Sequence, residues 1–176
     1  YRRTVYLILG TALLLLVLLV AGFGINRGYS TRWIGPQWAE FQPSEFAKLA
    51  FVIYLAYSLE KKATKMTSFT IGFLPHLIVC GLLIILCLAQ PDLGACLLLA
   101  AVMFVMLYIG GTRVSYMVGV CFVGIWMAVG YIAQSSSRLS RIDGWLNPWA
   151  DRYDAGFQTV NALTSLGSGG IWGMGL

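Results

Sequence analysis

The stretch FTIGFLPHLIVCGLLIILCLA, residues 69–89, decides the fold class of this chain. It carries no acidic or basic side chain other than one histidine, and it is long enough to cross about 30 Å of hydrocarbon as a helix. Apolar stretches of the same kind occupy 7–24, 44–59, 92–109 and 114–133, of which 44–59 and 92–109 are at the short end of what a bilayer requires. The sequence therefore predicts an all-α polytopic membrane protein with five transmembrane helices.

Composition supports the same class. Hydrophobic residues make up 59% of the chain and charged residues 11%, whereas soluble domains carry about 25% charged residues. A secretory signal is one short apolar stretch ahead of a soluble chain, and here apolar stretches recur throughout 1–133. We expect a membrane setting and no nucleic-acid partner. Because the chain starts at Tyr1 rather than Met and stops on Gly175-Leu176 in mid-pattern, we expect it to be a fragment.

The cysteines and the histidine suggest neither a disulfide framework nor a metal site. The four cysteines lie inside apolar stretches without CxxC spacing, which predicts small core residues: Cys80, Cys87, Cys96 and Cys121. His76 is the one histidine of the chain, and we expect it to be a packed or interfacial residue. We assign no metal ligands.

The segments between the predicted helices alternate between two faces of the membrane. Segments 1–3, 60–65 and 111–113 share one face, and short loops with lysines next to helix ends mark the cytoplasm. The predicted outer face then holds 26–42 and a large loop at 134–170. Its basic residues are all arginines, whose planar guanidinium suits phosphate recognition. For each single arginine, pairing with a nearby carboxylate or a lipid headgroup is an alternative of equal weight to phosphate recognition.

Residues 134–170 form a polar segment that is longer than a connector needs, which favours a functional loop. It contains three arginines that could hold an anionic substrate: Arg138, Arg141 and Arg152. A carboxylate in such a loop can act as a general base, a role usually worth about 10²- to 10⁴-fold in rate. The candidates are Asp143, Asp151 and Asp154, and spacing alone does not choose among them.

Two predicted helices begin with proline beside an acid at the outer face. One helix begins with Pro43 and Glu45, and the other with Pro91 and Asp92. The free N–H groups at each N-terminus could be capped by an acid or could bind an anionic ligand. For Asp92 we favour the capping role. Glu45 and Lys48 are three residues apart on one helical face, where they can pair. Ionisable residues at membrane depth are functional candidates, and an interfacial pair with the Lys48 ammonium reaching toward water is the alternative.

Several motifs together resemble one protein family. They are Arg32-Trp33-Ile34, Phe41-Gln42-Pro43-Ser44-Glu45-Phe46-Ala47-Lys48-Leu49, Gln90-Pro91-Asp92-Leu93-Gly94, Leu146-Asn147-Pro148-Trp149-Ala150-Asp151, Gly156-Phe157-Gln158 and Gly167-Ser168-Gly169-Gly170. In this order they resemble the SEDS family (shape, elongation, division and sporulation), polytopic peptidoglycan glycosyltransferases that polymerise lipid II. The Asn-Pro-Trp motif is more similar to division-type than to elongation-type members.

The resemblance implies a ten-helix fold, of which this chain would hold the third to seventh helices and the large extracellular loop. Residues 171–176 would start the next helical segment. The implied activity is the polymerisation of lipid II into glycan strands at the outer face of the bacterial cytoplasmic membrane during division, with release of undecaprenyl pyrophosphate. The resemblance assigns the catalytic acid to Asp151, and it implicates Arg32, Glu45, Lys48 and Gln158 in substrate binding.

Three positions depart from the family pattern. Phe157 stands where the family usually has tyrosine, so a hydroxyl role there is absent, and Asn161-Ala162 replaces a common Gln-Ser pair. The implied partners are lipid II, undecaprenyl pyrophosphate-linked glycan, a class B penicillin-binding protein that acts as transpeptidase, and other division proteins. A divalent cation that assists the pyrophosphate is left open.

Two other classes compete with the enzyme. A flippase for the lipid-linked precursor would need charges along the whole crossing, whereas here they concentrate at one face, with only Glu45 and Lys48 near membrane depth. A scaffold that recruits a transpeptidase without catalysis would not need the carboxylate of Asp151. The distribution of charge favours chemistry at the outer face.

Overall fold

The computed structural model of the chain describes residues 2–27, 30–35, 40–170 and 173, without the side chains of residues 26, 27, 30 and 31. Most of it is helical. The α-helices are Arg2–Val20 (α1), Pro43–Lys61 (α2), Leu74–Ala89 (α3), Leu93–Ile109 (α4), Val114–Ala133 (α5), Ser136–Leu146 (α6) and Phe157–Gly169 (α7). The smaller elements are a 3₁₀ turn Ala63–Lys65, a π-helical segment Phe69–Phe73 and two antiparallel strands, Ile25–Arg27 (β1) and Ser30–Trp33 (β2). The predicted all-α class is confirmed, with a small two-stranded ribbon in addition.

The first helix lies nearer the N-terminus than the predicted 7–24. Gly22, at φ +95°, ends it in a Schellman motif. The Gly22 N–H donates to the Leu19 carbonyl at 3.0 Å, and the Phe23 N–H donates to the Leu18 carbonyl at 3.0 Å. Apolar residues continue past this glycine, so hydropathy placed the end too late. The start is earlier because the polar residues from Arg2 onward continue the helix beyond the apolar stretch.

The helices predicted at 44–59 and 92–109 are confirmed within two residues by α2 and α4. Asp92 is the N-cap of α4, because its Oδ1 accepts the N–H of Ala95 at 3.2 Å. The predicted capping role of Asp92 is thus confirmed. At the other end of α4, Gly111 at φ +81° makes a second glycine stop, with its N–H donating to the Tyr108 carbonyl at 3.1 Å.

The stretch 69–89 is helical throughout, and its first five residues, Phe69–Phe73, form a π-helix. His76 in α3 is fully buried. Its Nδ1 lies 2.5 Å from the Gly72 carbonyl oxygen, and its Nε2 lies 2.9 Å from Ser58 Oγ. Because a carbonyl can only accept, Nδ1 donates to Gly72, and in the neutral form of the ring Nε2 accepts from Ser58. The predicted packed role of His76 is confirmed.

Three helical segments of the described chain are long and apolar enough to span a membrane: Arg2–Val20, Phe69–Ala89 and Val114–Ala133. The apolar α4 is shorter, at 17 residues. The remaining predicted span, α2, carries Glu45 and Lys48 near its start and Glu60 and Lys61 at its end. The five predicted helices are therefore all present, and three of them have the length and composition of a full span.

The chain forms two compact units, Tyr1–Val118 and Gly119–Leu176. In the first unit α2 packs against α1 and α4, and α3 packs against α4. Ala12 of α1 and Ala47 and Ala50 of α2 are fully buried, and such small side chains let helix backbones approach closely. Three cysteines are buried in this unit as predicted: Cys80, Cys87 and Cys96.

The second unit contains the whole predicted loop 134–170, which is largely helical rather than irregular. The helices α6 and α7 occupy it, and residues 147–156 form the turn between them. Cys121 in α5 is exposed, contrary to its predicted core position, because no residue of α5 is buried within the described chain. Apart from Gly173, the predicted start of the next helix at 171–176 lies outside the described residues.

Candidate functional site

Arg32, predicted to bind substrate, is attached to the turn between α3 and α4. It lies in β2, and its Nε donates to the Gln90 carbonyl at 3.0 Å. Its Nη2 also donates to the Pro91 carbonyl. Both carbonyls follow the C-terminal end of α3, where the helix dipole favours a positive charge. A guanidinium has five N–H donors, so these contacts fix the group and leave further donors for a ligand.

Asp92 connects the N-termini of α2 and α4. Besides capping α4 through Oδ1, it receives hydrogen bonds at Oδ2 from Gln42 Nε2 at 3.3 Å and from Ser44 Oγ at 3.4 Å. Gln42 Nε2 also lies 2.9 Å from Ser44 Oγ. The sequence predicted the cap but not these two partners, because the contact joins residues 48 and 50 positions apart.

Glu45 and Lys48 form the predicted ion pair in the first turns of α2. Lys48 Nζ lies 2.7 Å from Glu45 Oε1. The Glu45 side chain is 60% exposed and that of Lys48 is 19% exposed. The acid of the pair is therefore open to solvent or to a ligand, whereas the Lys48 side chain is mostly enclosed by the protein.

In the second unit Asp151 lies on the turn between α6 and α7. The Asn147 N–H donates to the Asp143 carbonyl at 2.8 Å, and the Gly156 N–H donates to the Asp151 carbonyl at 2.9 Å. The side chains of Asp143, Asp151 and Asp154 are all exposed. Because all three are exposed, burial does not distinguish which of these carboxylates is the general base, just as their spacing in the sequence did not.

Two buried glycines close the turn that carries Asp151. A Cβ on Gly144 in α6 would overlap the carbonyl oxygen of Ala155, and a Cβ on Gly156 would overlap that of Pro148. The same Cβ on Gly156 would lie 2.9 Å from the Asp151 carbonyl oxygen. The backbone of the turn is thus held at distances that only glycine permits. Sequence reasoning missed Gly144, because nothing local distinguishes it from a tolerated helical glycine.

The loop arginines and Gln158 lie in the same unit as Asp151. Arg138 donates from Nη1 to the Tyr131 carbonyl at 2.7 Å, and its guanidinium lies 3.7 Å from the centroid of the Tyr131 ring. Arg152 makes a similar contact with Tyr153, at 4.6 Å from the ring centroid. Arg141 and Gln158 are exposed.

The structure thus assembles two groups of predicted site residues. Arg32, Glu45 and Lys48 belong to the unit Tyr1–Val118, which also contains the helix cap Asp92. The residues of the unit Gly119–Leu176 are Arg138, Arg141, Asp151, Arg152 and Gln158. Among the described residues, no group of three or more His, Cys, Asp and Glu side chains could hold a metal ion.

Comparison with known proteins decides the family. The sequence model of FtsW, RodA and SpoVE, described as a cell cycle protein, matches residues 1–176. The chain belongs to the FtsW/RodA/SpoVE family. The resemblance drawn from the motifs is thereby confirmed.

Named relatives in this family match nearly the whole chain. The probable peptidoglycan glycosyltransferase FtsW of Geobacter sp. (strain M18) is 42% identical over 99% of this chain and 48% of its own length. The stage V sporulation protein E of Bacillus subtilis (strain 168) is 39% identical over 93% of this chain and 44% of its own length. The chain thus spans about half the length of these members of the FtsW/RodA/SpoVE family.

Solved structures of the family share its fold. A chain of a structure described as "Structural coordination of polymerization and crosslinking by a peptidoglycan synthase complex" matches with a TM-score of 0.74 and 27% identity, over 97% of this chain and 51% of that one. The rod shape determining protein RodA of Thermus thermophilus matches with a TM-score of 0.61 and 26% identity, over 74% and 42%. The chain is therefore part of a multi-pass membrane protein of this fold.

Proposed function

We propose that the protein to which this chain belongs is a peptidoglycan glycosyltransferase that polymerises lipid II during cell division. The observation that carries the proposal is the 42% identity, over 99% of the chain, to a relative named as a probable peptidoglycan glycosyltransferase FtsW. The exposed carboxylate of Asp151, on a turn closed by two glycines, gives this activity a candidate base.

In the proposed reaction Asp151 takes the proton from the 4-hydroxyl of the acceptor sugar. That oxygen attacks the anomeric carbon of the lipid-linked donor, the bond to the pyrophosphate breaks, and the configuration inverts. A carboxylate on a fixed backbone suits this role, since a general base acts within hydrogen-bond reach of the proton that it removes. Gly144 and Gly156 restrict where that carboxylate can lie.

The leaving group is undecaprenyl pyrophosphate, which needs charge stabilisation rather than a strong acid. This requirement differs from glycoside hydrolysis, where two carboxylates share the work. We assign the positive charge to Arg138, Arg141 and Arg152, which belong to the same unit as Asp151. For Lys48 and Arg32 we propose binding of an anionic group of a lipid-linked substrate. Gln158 and Glu45 are assigned to hydrogen bonds with the sugar or its lipid-linked phosphates. A divalent cation bound with the pyrophosphate is compatible with this assignment.

We also propose the orientation and the partner. The lysines near the end of α2 would face the cytoplasm by the positive-inside rule, which leaves the Asp151 turn on the outer face. A class B penicillin-binding protein would crosslink the strands that this protein makes. The likeness to a chain of a peptidoglycan synthase complex that coordinates polymerisation and crosslinking supports such a partner.

The test is glycan-strand formation from purified lipid II by the full-length parent protein with its transpeptidase partner. Asp151→Asn is compared with Asp154→Asn, a matched change on the same turn. We expect polymer from wild type and from the Asp154 variant, and loss of polymer from the Asp151 variant, which must stay folded and partner-bound.

Polymer at wild-type yield from the Asp151→Asn variant would refute the assignment of the base. If the wild-type protein made no polymer but moved lipid II across vesicles, the flippase alternative would replace the enzyme. If it made no polymer and yet stimulated its transpeptidase, the scaffold alternative would replace it.

A further inference from the structure

The helix α6, Ser136–Leu146, has one apolar side that the described chain leaves exposed. Successive residues of a helix are offset by about 100°, so the apolar side chains of α6 fall on one arc of about 120°: Leu139, Ile142, Trp145 and Leu146. Their exposed fractions are 44%, 39%, 70% and 68%, respectively. A helix that binds only water would not keep four large apolar side chains on one side.

The opposite side of α6 is polar and supports the Asp151 turn. Its residues include Ser137, Ser140 and Gly144. Gly144 is buried against the carbonyl of Ala155, which lies in the turn. The apolar side of α6 therefore faces away from the turn that the helix carries.

The position of α6 in the chain indicates what covers the apolar side. Only residues 134 and 135 separate it from α5, a helix with the length and composition of a membrane span. Arg138 fastens the start of α6 to the last turns of α5 through the 2.7 Å bond to the Tyr131 carbonyl. The apolar residues of α6 thus follow, after two residues, a helix with the length and composition of a membrane span.

We propose that α6 lies in the membrane interface, with Leu139, Ile142, Trp145 and Leu146 in the lipid. The helix has two features of interfacial helices: a one-sided apolar arc on an otherwise polar helix, and a basic residue, Arg141, bordering that arc. Arg138 falls within the arc, and its guanidinium binds the Tyr131 carbonyl and ring at the end of α5. Trp145 suits the headgroup level, where an indole can be half in hydrocarbon and half in water.

This placement gives the candidate base a defined height above the membrane. Because the polar side of α6 carries the turn, the Asp151 carboxylate would lie just above the lipid surface. A lipid-linked pyrophosphate has its phosphates at that level and its sugar directly above them. This consequence rests on the proposed function, whereas the binding of α6 to lipid does not.

The test measures the depth of spin labels on α6 in the full-length parent protein, reconstituted in vesicles of phosphatidylethanolamine and phosphatidylglycerol. Accessible cysteines are replaced first, including Cys121, which is exposed. Labels are placed at Ile142 and Leu146 on the apolar side and, as matched controls, at Ser137 and Ser140 on the polar side. All four side chains are exposed or half-buried, so the labels replace no packed core.

We expect labels at 142 and 146 to collide more with oxygen than with a water-soluble nickel chelate, and labels at 137 and 140 to show the reverse. High nickel access at all four positions would place α6 in water and overturn the proposal. Low access to both reagents at 142 and 146 would also overturn it, because another protein segment or a second copy would cover the face. The readout is independent of activity, so a protein that passes this test and makes no polymer contradicts the proposed function alone.

Discussion

Arg32 Nε lies 3.0 Å from the carbonyl oxygen of Gln90, a residue 58 positions further along the chain. With the second bond to Pro91, the guanidinium joins the β1–β2 ribbon to the turn between α3 and α4. Asp92, the next residue, joins that turn to the start of α2 through Ser44 and Gln42. One chain of polar contacts thus fixes three segments of the first unit relative to each other.

Replacing Arg32 by lysine should loosen this connection even though the charge is kept. An ammonium cannot reproduce the fork that meets two neighbouring carbonyls. Hydrogen bonds to charged groups contribute about 1.5–3 kcal/mol, and we expect a loss of stability in that range. Thermal unfolding of the parent protein in detergent measures it, with Arg141→Lys at an exposed arginine as the control. An Arg32→Lys variant as stable as the Arg141→Lys control would contradict the structural role.

Gly144→Ala and Gly156→Ala should impair polymerisation by displacing the Asp151 turn. Each new Cβ would overlap a backbone carbonyl, of Ala155 or Pro148, which cannot move without moving the turn. A displacement of about 1 Å at a reacting group can cost about 10²-fold in rate. We expect a fall in kcat for lipid II polymerisation with little change in expression.

The control for this prediction is Gly167→Ala in α7. A Cβ at Gly167 meets nothing within 4 Å, and alanine is the better helix former. We expect wild-type activity from it. Equal activity of the Gly144, Gly156 and Gly167 variants would show that the turn does not position the base.

Comparing Lys48→Gln with Glu45→Gln should show whether Lys48 binds the substrate pyrophosphate or serves only as the ion-pair partner of Glu45. Exposed ion pairs contribute about 0–1 kcal/mol, and Glu45 is 60% exposed, so Lys48→Gln, which leaves only that exposed carboxylate unpaired, should alter stability little. Glu45→Gln keeps an oxygen that can accept from the Lys48 ammonium. If the half-buried Lys48 ammonium holds the pyrophosphate, Lys48→Gln abolishes most polymerisation while Glu45→Gln retains more. Equal losses from both variants would indicate that Lys48 matters only through its partner. A double-mutant cycle on kcat/KM for lipid II measures the coupling.

His76→Phe should destabilise the first unit without a direct effect on chemistry. It removes one hydrogen-bond partner of the Ser58 hydroxyl and one of the Gly72 carbonyl, both deep in the protein. An unsatisfied buried polar group costs about 1–3 kcal/mol. Adding Ser58→Ala removes one of the two groups that lost a partner, so the double variant should unfold at a higher temperature than His76→Phe. A double variant less stable than the single one would refute this reading.

Most helix positions followed from the sequence because they depend on local terms. Hydrophobic runs of the right length placed α2, α3, α4 and α5, and the proline and acid at 91 and 92 marked the start of α4. The exception is α1, where Gly22 ended the helix inside an apolar run. A hydropathy profile does not register a glycine that ends a helix through its backbone conformation.

The polar segment 134–170 shows the opposite case. Its charges and glycines predicted a loop, yet α6 and α7 occupy most of it. The apolar residues of α6 recur at helical spacing, but arginines and serines separate them and lower the mean hydropathy of the segment. Periodicity, rather than mean hydropathy, was the signal that could have found this helix.

The sequence by itself determined the membrane class, the approximate helices, the Glu45–Lys48 pair and the cap at Asp92, because each depends on residues within about one span or one helical turn. Tertiary structure alone decided that Arg32 binds the end of α3, that Ser44 meets Asp92, and that Gly144 admits the Ala155 carbonyl. These contacts join separate elements, and their distances depend on how the backbones pack, which side-chain spacing along the chain does not encode.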